Sequence, residues 1–141
     1  MHKSESLIST LYYGFNADTL FLRIDPKIPF AEFEEGTEFL LVTSRPADIR
    51  IAYPINGEGK AAELFEKTND EWKKVKDINE VAAVDIFEVG VTFADLKARE
   101  KDEINLFISV RKGGEEIERC PWRGHISVLV PTEDFEAMMW Y

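Results

Sequence analysis

Short runs in which apolar and polar residues alternate, cut by turn signals, dominate the chain. A period of two predicts strands rather than helices. Leu7 to Phe15 reads as a first strand. Asn16-Ala17-Asp18 then makes a tight connection, and Leu20 to Asp25 returns as a second strand. Asn and Asp suit such a loop because they tolerate left-handed backbone and bond their own main chain. Pro26 and Pro29 break the pairing. Thr37 to Thr43 and Ile49 to Ile55 read as two further strands, with Pro46 and Asp48 between them. Asn56-Gly57 is a type I′ hairpin signal. Lys60 to Lys67 reads as its return strand, although Ala61-Ala62-Glu63-Leu64 also suits a helix. Trp72 to Val75 reads as a short edge strand protected by its lysines.

Val81 to Val91 reads as one long apolar strand. It leads into Thr92-Phe93-Ala94-Asp95-Leu96, where Thr92 caps one helical turn and Asp95 stands at its third position. In Ile104 to Arg111, residues Ile104, Leu106, Ile108 and Val110 face one way, and Asn105, Ser109 and Arg111 the other. Gly113-Gly114 turns this strand into Glu116 to Arg119. Ile126, Val128 and Val130 mark another strand face, and Phe135 to Tyr141 closes the domain. About ten short strands with one or two helical turns predict an all-β fold, an antiparallel β-sandwich in a single domain.

Composition bounds what such a domain does. Its 141 residues suffice for a proper core, and 45% hydrophobic with 31% charged residues describes an ordinary globular chain. The 27 acidic residues outnumber the 17 basic ones, giving a net charge of −10. That field repels nucleic acid and anionic lipid, so neither nucleic acid nor membrane is an expected partner, and a neutral ligand suits the surface better than a polyanion. Lys73-Lys74-Val75-Lys76 and Arg111-Lys112 are short basic groups flanked by acids, which reads as solvated surface. No apolar run approaches the roughly 20 residues of a membrane span, and no secretory signal opens the chain, so a cytoplasmic location is expected. The single cysteine, Cys120, excludes an internal disulfide and a multi-cysteine metal site.

Acidic pairs such as Glu34-Glu35, Glu115-Glu116 and Glu133-Asp134 fit a solvated surface. Acid catalysis by paired carboxylates needs two of them across a cleft, which spacing alone does not establish. Cys120 and His125 are close enough in sequence to suggest a nucleophile and base, but they flank a Pro-Trp-Arg-Gly turn without an orienting third residue. His2 and His125 are the only histidines and suggest no zinc site. Asp18, Asp25 and Asp134 are turn residues that calcium chemistry leaves open. Gly57-x-Gly59-Lys60 lacks the strand-to-helix context of a phosphate loop. No catalytic residue, metal or cofactor is expected.

The aromatics carry more. Sugar rings present flat C–H faces that stack on Trp and Tyr, and their hydroxyls need planar polar partners. Trp122 lies in a predicted turn beside Arg123 and His125, either as a recognition patch or as a lid on one open end of the sandwich. Trp72 sits among charges and has the same two readings. Trp140 and Tyr141 read as core, and Tyr12, Tyr13, Phe21 and Phe39 as ordinary strand residues.

Several stretches carry a resemblance. Met1-His2-Lys3-Ser4-Glu5-Ser6-Leu7-Ile8, followed by Leu11-Tyr12-Tyr13-Gly14-Phe15-Asn16 and Leu20-Phe21-Leu22-Arg23-Ile24-Asp25, is similar to the start of the C-terminal domain in many glycoside hydrolase family 57 proteins, the α-amylase/α-mannosidase type. Gly114 to Arg119, Pro121, Val130-Pro131 and Asp134-Phe135-Glu136 before Trp140 resemble that domain's end. Val89 to Leu96 with Asp102-Glu103-Ile104 looks like the strand–turn–strand of DOMON-type and carbohydrate-binding family 9 sandwiches. Lys27 to Ile78 is unmatched. The resemblance implies a β-sandwich attached to a catalytic barrel that acts on α-glucans, with the catalytic residues upstream. Its implied partners are that catalytic domain and an α-glucan, and it maps no individual sugar-binding residue.

Overall fold

The computed structural model describes residues 6–55 and 61–132. His2, the Asn56-Gly57 turn, Asp134 and the closing segment with Trp140 and Tyr141 lie outside the described residues. Two antiparallel sheets face each other, so the chain is an all-β sandwich. One sheet has four strands in the order β1-β2-β8-β7, built from β1 (Ile8–Phe15), β2 (Thr19–Pro26), β7 (Val81–Ala83) and β8 (Phe87–Thr92). The other has seven: β10 (Glu115–Cys120), β9 (Glu103–Lys112), β3 (Thr37–Arg45), β4 (Ile49–Pro54), β5 (Ala62–Thr68) and β6 (Glu71–Ile78) lie in that order. Its seventh, β11 (Ile126–Leu129), pairs with β9 beyond the end of β10.

Alternation places the core. Leu20, Leu22 and Ile24 on β2 meet Phe87, Val89 and Val91 on β8 as one buried face. Phe39 and Leu41, Ile49 and Ile51, Leu64, and the Ile104-Leu106-Ile108-Val110 row supply the opposing face. Phe39 anchors the layer between them, edge-on to Phe87 at 5.2 Å and to Phe30 at 6.1 Å. Phe30 belongs to a short 3-10 turn, Phe30–Glu32.

The local chemistry of the connections follows the sequence. The Asn16 side chain accepts from the backbone N–H of Asp18 (3.0 Å) and of Thr19 (2.9 Å), closing the first hairpin. Gly113 and Gly114 both take positive φ, as a two-residue hairpin requires. Thr92 Oγ1 accepts from the Asp95 N–H at 3.1 Å, the expected cap. Between β5 and β6 the same reversal falls on Asn69 and Asp70, at φ of 51° and 63°.

Two expectations change, and one open between strand and helix is decided for strand. The apolar stretch Val81 to Val91 is not one strand but the β7–β8 hairpin, with Val81 opposite Val89 and the reversal around exposed Val84 and Asp85. Folding back lets both apolar halves cover the same core. The stretch expected to return as strand or helix is a strand over Ala62–Thr68, with Lys60 outside the described residues: Ala62 and Leu64 point inward together, and a helix would not hold that parity against β4. The edge strand proposed at Trp72 runs on to Ile78, and Lys74 on it bridges Glu63 and Asp77, each at 2.8 Å. Those two carboxylates hold the Lys74 pKa well above its usual value.

Candidate functional site

The outer face of the four-stranded sheet carries a groove of about 570 Å³. Its construction begins with strand parity. Phe21, Arg23 and Asp25 share the side of β2 that faces away from the core. Directly across from Phe21 stand Gly14 on β1 and Gly90 on β8, so neither cross-strand neighbour has a side chain, and the ring leans over Gly90 beside the Glu80 carboxyl group. Phe21 is 37% exposed in consequence. Tyr12 and Glu88 stand across from Arg23 in the next row, and Tyr12 is 49% exposed.

Polar groups frame these rings. Arg23 is held in place by Asp25, with Nε–Oδ1 at 2.8 Å and Nη2–Oδ2 at 3.1 Å. Those hydrogen bonds raise the guanidinium pKa above its usual value, with the charges of Asp25, Tyr12 and Glu88 adding to the effect. The same guanidinium lies 5.0 Å from the centre of the Tyr12 ring, a cation–π arrangement. Asn79 and Glu80 enter from the segment before β7, fixed by the Gly90 N–H donating to the Glu80 carbonyl at 2.8 Å. The Glu80 carboxyl group and the Phe21 ring both crowd Gly90: a Cβ there would lie 2.8 Å from Glu80 Cδ and 3.0 Å from Phe21 Cε1. An open trough with three exposed rings, those of Tyr12, Tyr13 and Phe21, a fixed guanidinium, two carboxylates and an amide is suited to a ligand with both flat apolar faces and hydroxyl edges.

The residues singled out in the sequence lie elsewhere. Trp122, Arg123 and His125 are all exposed, Trp122 at 74%, in the turn joining β10 to β11. Arg119 shapes this turn by donating from Nη2 to the Gly124 carbonyl while stacking 3.7 Å over Phe107. Trp72 is half-buried on β6, at the opposite edge of the same sheet. Five strand spacings of about 4.8 Å separate β6 from β10, so Trp72 and Trp122 do not form one platform. Neither belongs to the groove on the other sheet. Cys120 packs against the core, and burial pushes its thiol pKa up, with Glu118 adding to the effect. That lowers its thiolate fraction.

Asp18 accepts from the Thr19 hydroxyl at 2.9 Å and Asp25 is engaged by Arg23, so both carboxylates have protein partners. Among the described residues no group of three or more His, Cys, Asp and Glu is placed to hold a metal ion. No described helix is long and apolar enough to cross a membrane. A second hollow, of about 490 Å³, lies near Leu7, Phe33 and Ile117. The Glu118 carboxylate at its rim is taken up by the N–H groups of Leu7 (2.6 Å) and Ile8 (3.1 Å) and by the Ser6 hydroxyl (2.8 Å).

Sequence reading passed over Tyr12 and Phe21 as ordinary strand residues. One signal was available. In Leu20-Phe21-Leu22-Arg23-Ile24-Asp25, Phe21 shares parity with Arg23 and Asp25, the polar side of the strand. Glycines within the Tyr-Tyr-Gly-Phe and Val-Gly-Val strands were a second, since strand glycines mark sites of close approach. No protein-family description, curated protein or solved structure matches the chain.

Proposed function

We infer that this domain is a noncatalytic accessory module that binds or positions a carbohydrate, an α-glucan in the reading that the resemblance to glycoside hydrolase family 57 C-terminal domains suggests. The observation that carries the binding part is the exposed Phe21 ring on the outer face of the sheet, leaning over Gly90 beside Glu80, with Tyr12, Tyr13, Arg23 and Glu88 around it. Stacking on Phe21 and Tyr12 supplies affinity for a sugar face, while Arg23, Asn79 and the two carboxylates hydrogen-bond its hydroxyls. Such a module works beside a catalytic domain elsewhere in the parent chain. Calorimetric titration with linear malto-oligosaccharides tests it. Saturable binding that is lost in Phe21→Ala and kept in Trp122→Ala supports the groove. Loss in Trp122→Ala alone moves the site to the β10–β11 turn, and no binding at millimolar sugar rejects the reading.

A packing role for the parent enzyme is the second reading. It is favoured by Ile117, Trp122 and Leu129, three exposed apolar side chains along β10, the following turn and β11 at one border of the large sheet. It predicts that Ile117→Ser with Leu129→Ser weakens association with the catalytic domain and leaves sugar binding unchanged.

A further inference from the structure

The two sides of the groove on the four-stranded sheet carry different charge. Tyr12, Arg23, Glu88 and Ala82 stand in one row across β1, β2, β8 and β7. The Arg23 guanidinium leans toward β1, 5.0 Å from the centre of the Tyr12 ring, and its Nε and Nη2 both donate to Asp25. Asp25 therefore balances the one cation that lines the groove among the described residues. On the other flank of Glu88, Ala82 offers only a methyl group.

The neighbouring row holds Gly14, Phe21 and Gly90. Glu80 Cδ and Phe21 Cε1 lie 2.8 Å and 3.0 Å from a single point, the place of a Cβ on Gly90, so the carboxyl group sits beside the ring edge. Glu88 and Gly90 are two residues apart on β8, about 7 Å of strand, so both carboxylates border the same stretch of groove. Both glutamates are exposed, and neither side chain has a hydrogen bond or ion pair among the described residues.

Two unbalanced carboxylates beside aromatic rings favour a cation. In a chain of net charge −10 they repel each other and any anionic ligand. A sugar hydroxyl donates to one of them and leaves the charge in place. An ammonium group brings three donors and a compensating charge, and charge-assisted hydrogen bonds are the stronger kind. The faces of Phe21, Tyr12 and Tyr13 attract the same group through their quadrupoles. We propose that the groove prefers a sugar bearing a protonated amine, with the ammonium group held by Glu80 and Glu88 while the sugar face stacks on Phe21. This rests on the carbohydrate reading above and names the class of sugar.

Glucosamine and glucose differ by one amine in place of one hydroxyl, so they isolate the charge without changing linkage. Each is titrated near pH 6 into ¹⁵N-labelled protein, where the amine is protonated and the glutamates are ionised. Putrescine, a diamine without a ring, and a linear malto-oligosaccharide are titrated alongside. The expected result is a saturable shift of the Phe21, Glu88 and Gly90 amides, with glucosamine bound at least about fivefold more tightly than glucose. The double variant Glu80→Gln with Glu88→Gln should bring that ratio below about twofold. Glu35→Gln with Glu100→Gln removes the same charge from exposed positions outside the groove and should leave the ratio unchanged. Equal affinity for glucose and glucosamine, or binding of the malto-oligosaccharide without binding of glucosamine, overturns the amine preference and leaves the carbohydrate reading standing. A ratio that survives Glu80→Gln with Glu88→Gln assigns the preference to the overall field of the protein and overturns the proposal. Putrescine binding as tightly as glucosamine overturns the role of the sugar face. Silence toward every sugar overturns the proposal and the carbohydrate reading together.

Discussion

The Arg50 guanidinium lies 4.1 Å from the centre of the Trp72 ring, joining β4 to β6 over the intervening β5. The stack explains why a tryptophan surrounded by charges in sequence is half-buried rather than presented to a ligand. Arg50→Ala and Trp72→Ala are expected to be non-additive by about 0.5–2 kcal/mol. Urea unfolding of the two single variants and the double variant measures this coupling. Additive losses would show that the stack contributes nothing to stability.

Gly90 separates a stability effect from a site effect. An alanine there meets Glu80 Cδ at 2.8 Å and Phe21 Cε1 at 3.0 Å. The Glu80 carboxyl group is the free end of a flexible side chain, so it swings away, and alanine also lowers the entropy of the unfolded strand. Gly90→Ala is therefore expected to change stability by less than about 1 kcal/mol while displacing Glu80 from beside Phe21. Sugar affinity should fall while the thermal midpoint barely moves.

Glu118 fastens the start of the first strand to β10. Its carboxylate accepts from Ser6 Oγ and from the N–H groups of Leu7 and Ile8. Glu118→Ala removes all three acceptor contacts, and a loss of about 1.5–3 kcal/mol is expected. Amide exchange at Leu7 and Ile8 should accelerate more than at Leu22 in the middle of β2. Uniform acceleration along β1 and β2 would assign the loss to global unfolding instead.

Cys120 gives a pH-dependent outcome. Burial first, and Glu118 second, raise its thiol pKa. Alkylation by iodoacetamide near pH 8 should therefore be slower than for a free thiol in the unfolded chain, because the thiolate is the reactive form. The linked stability change has a definite sign. The folded thiol holds its proton to higher pH than the unfolded one, so stability falls as pH rises above the ordinary thiol pKa of about 8.5. Cys120→Ser should abolish that fall.

Much of this fold was legible in the chain. The alternation in Ile104 to Arg111 put four apolar side chains on one face, and all four are buried. Asn16, the Gly113-Gly114 pair and Thr92 each specified their turn or cap through local chemistry that needs no distant partner. Val81 to Val91 was not legible in the same way. A continuous apolar run is compatible with one long strand or with a hairpin whose halves share a face, and only the width of the opposing layer chooses between them.

The candidate groove was less legible still. Trp122, Arg123, His125 and Trp72 were selected as rare aromatics with polar neighbours, a property of sequence distance. The structure leaves the first three in an exposed turn and puts Trp72 under Arg50 at the opposite edge. Phe21 gained its setting from Gly14 and Gly90, which are seven positions before it and sixty-nine after it. What the sequence by itself determined was the period-two pattern, the turns and the set of core residues, because each depends on a side chain and its near neighbours. Tertiary structure decided the order β1-β2-β8-β7, and with it which strands flank Phe21, and in the larger sheet the order that lets Arg50 stack on Trp72. Those choices depend on cross-strand register between segments far apart in the chain, and register is set by burying two faces against each other.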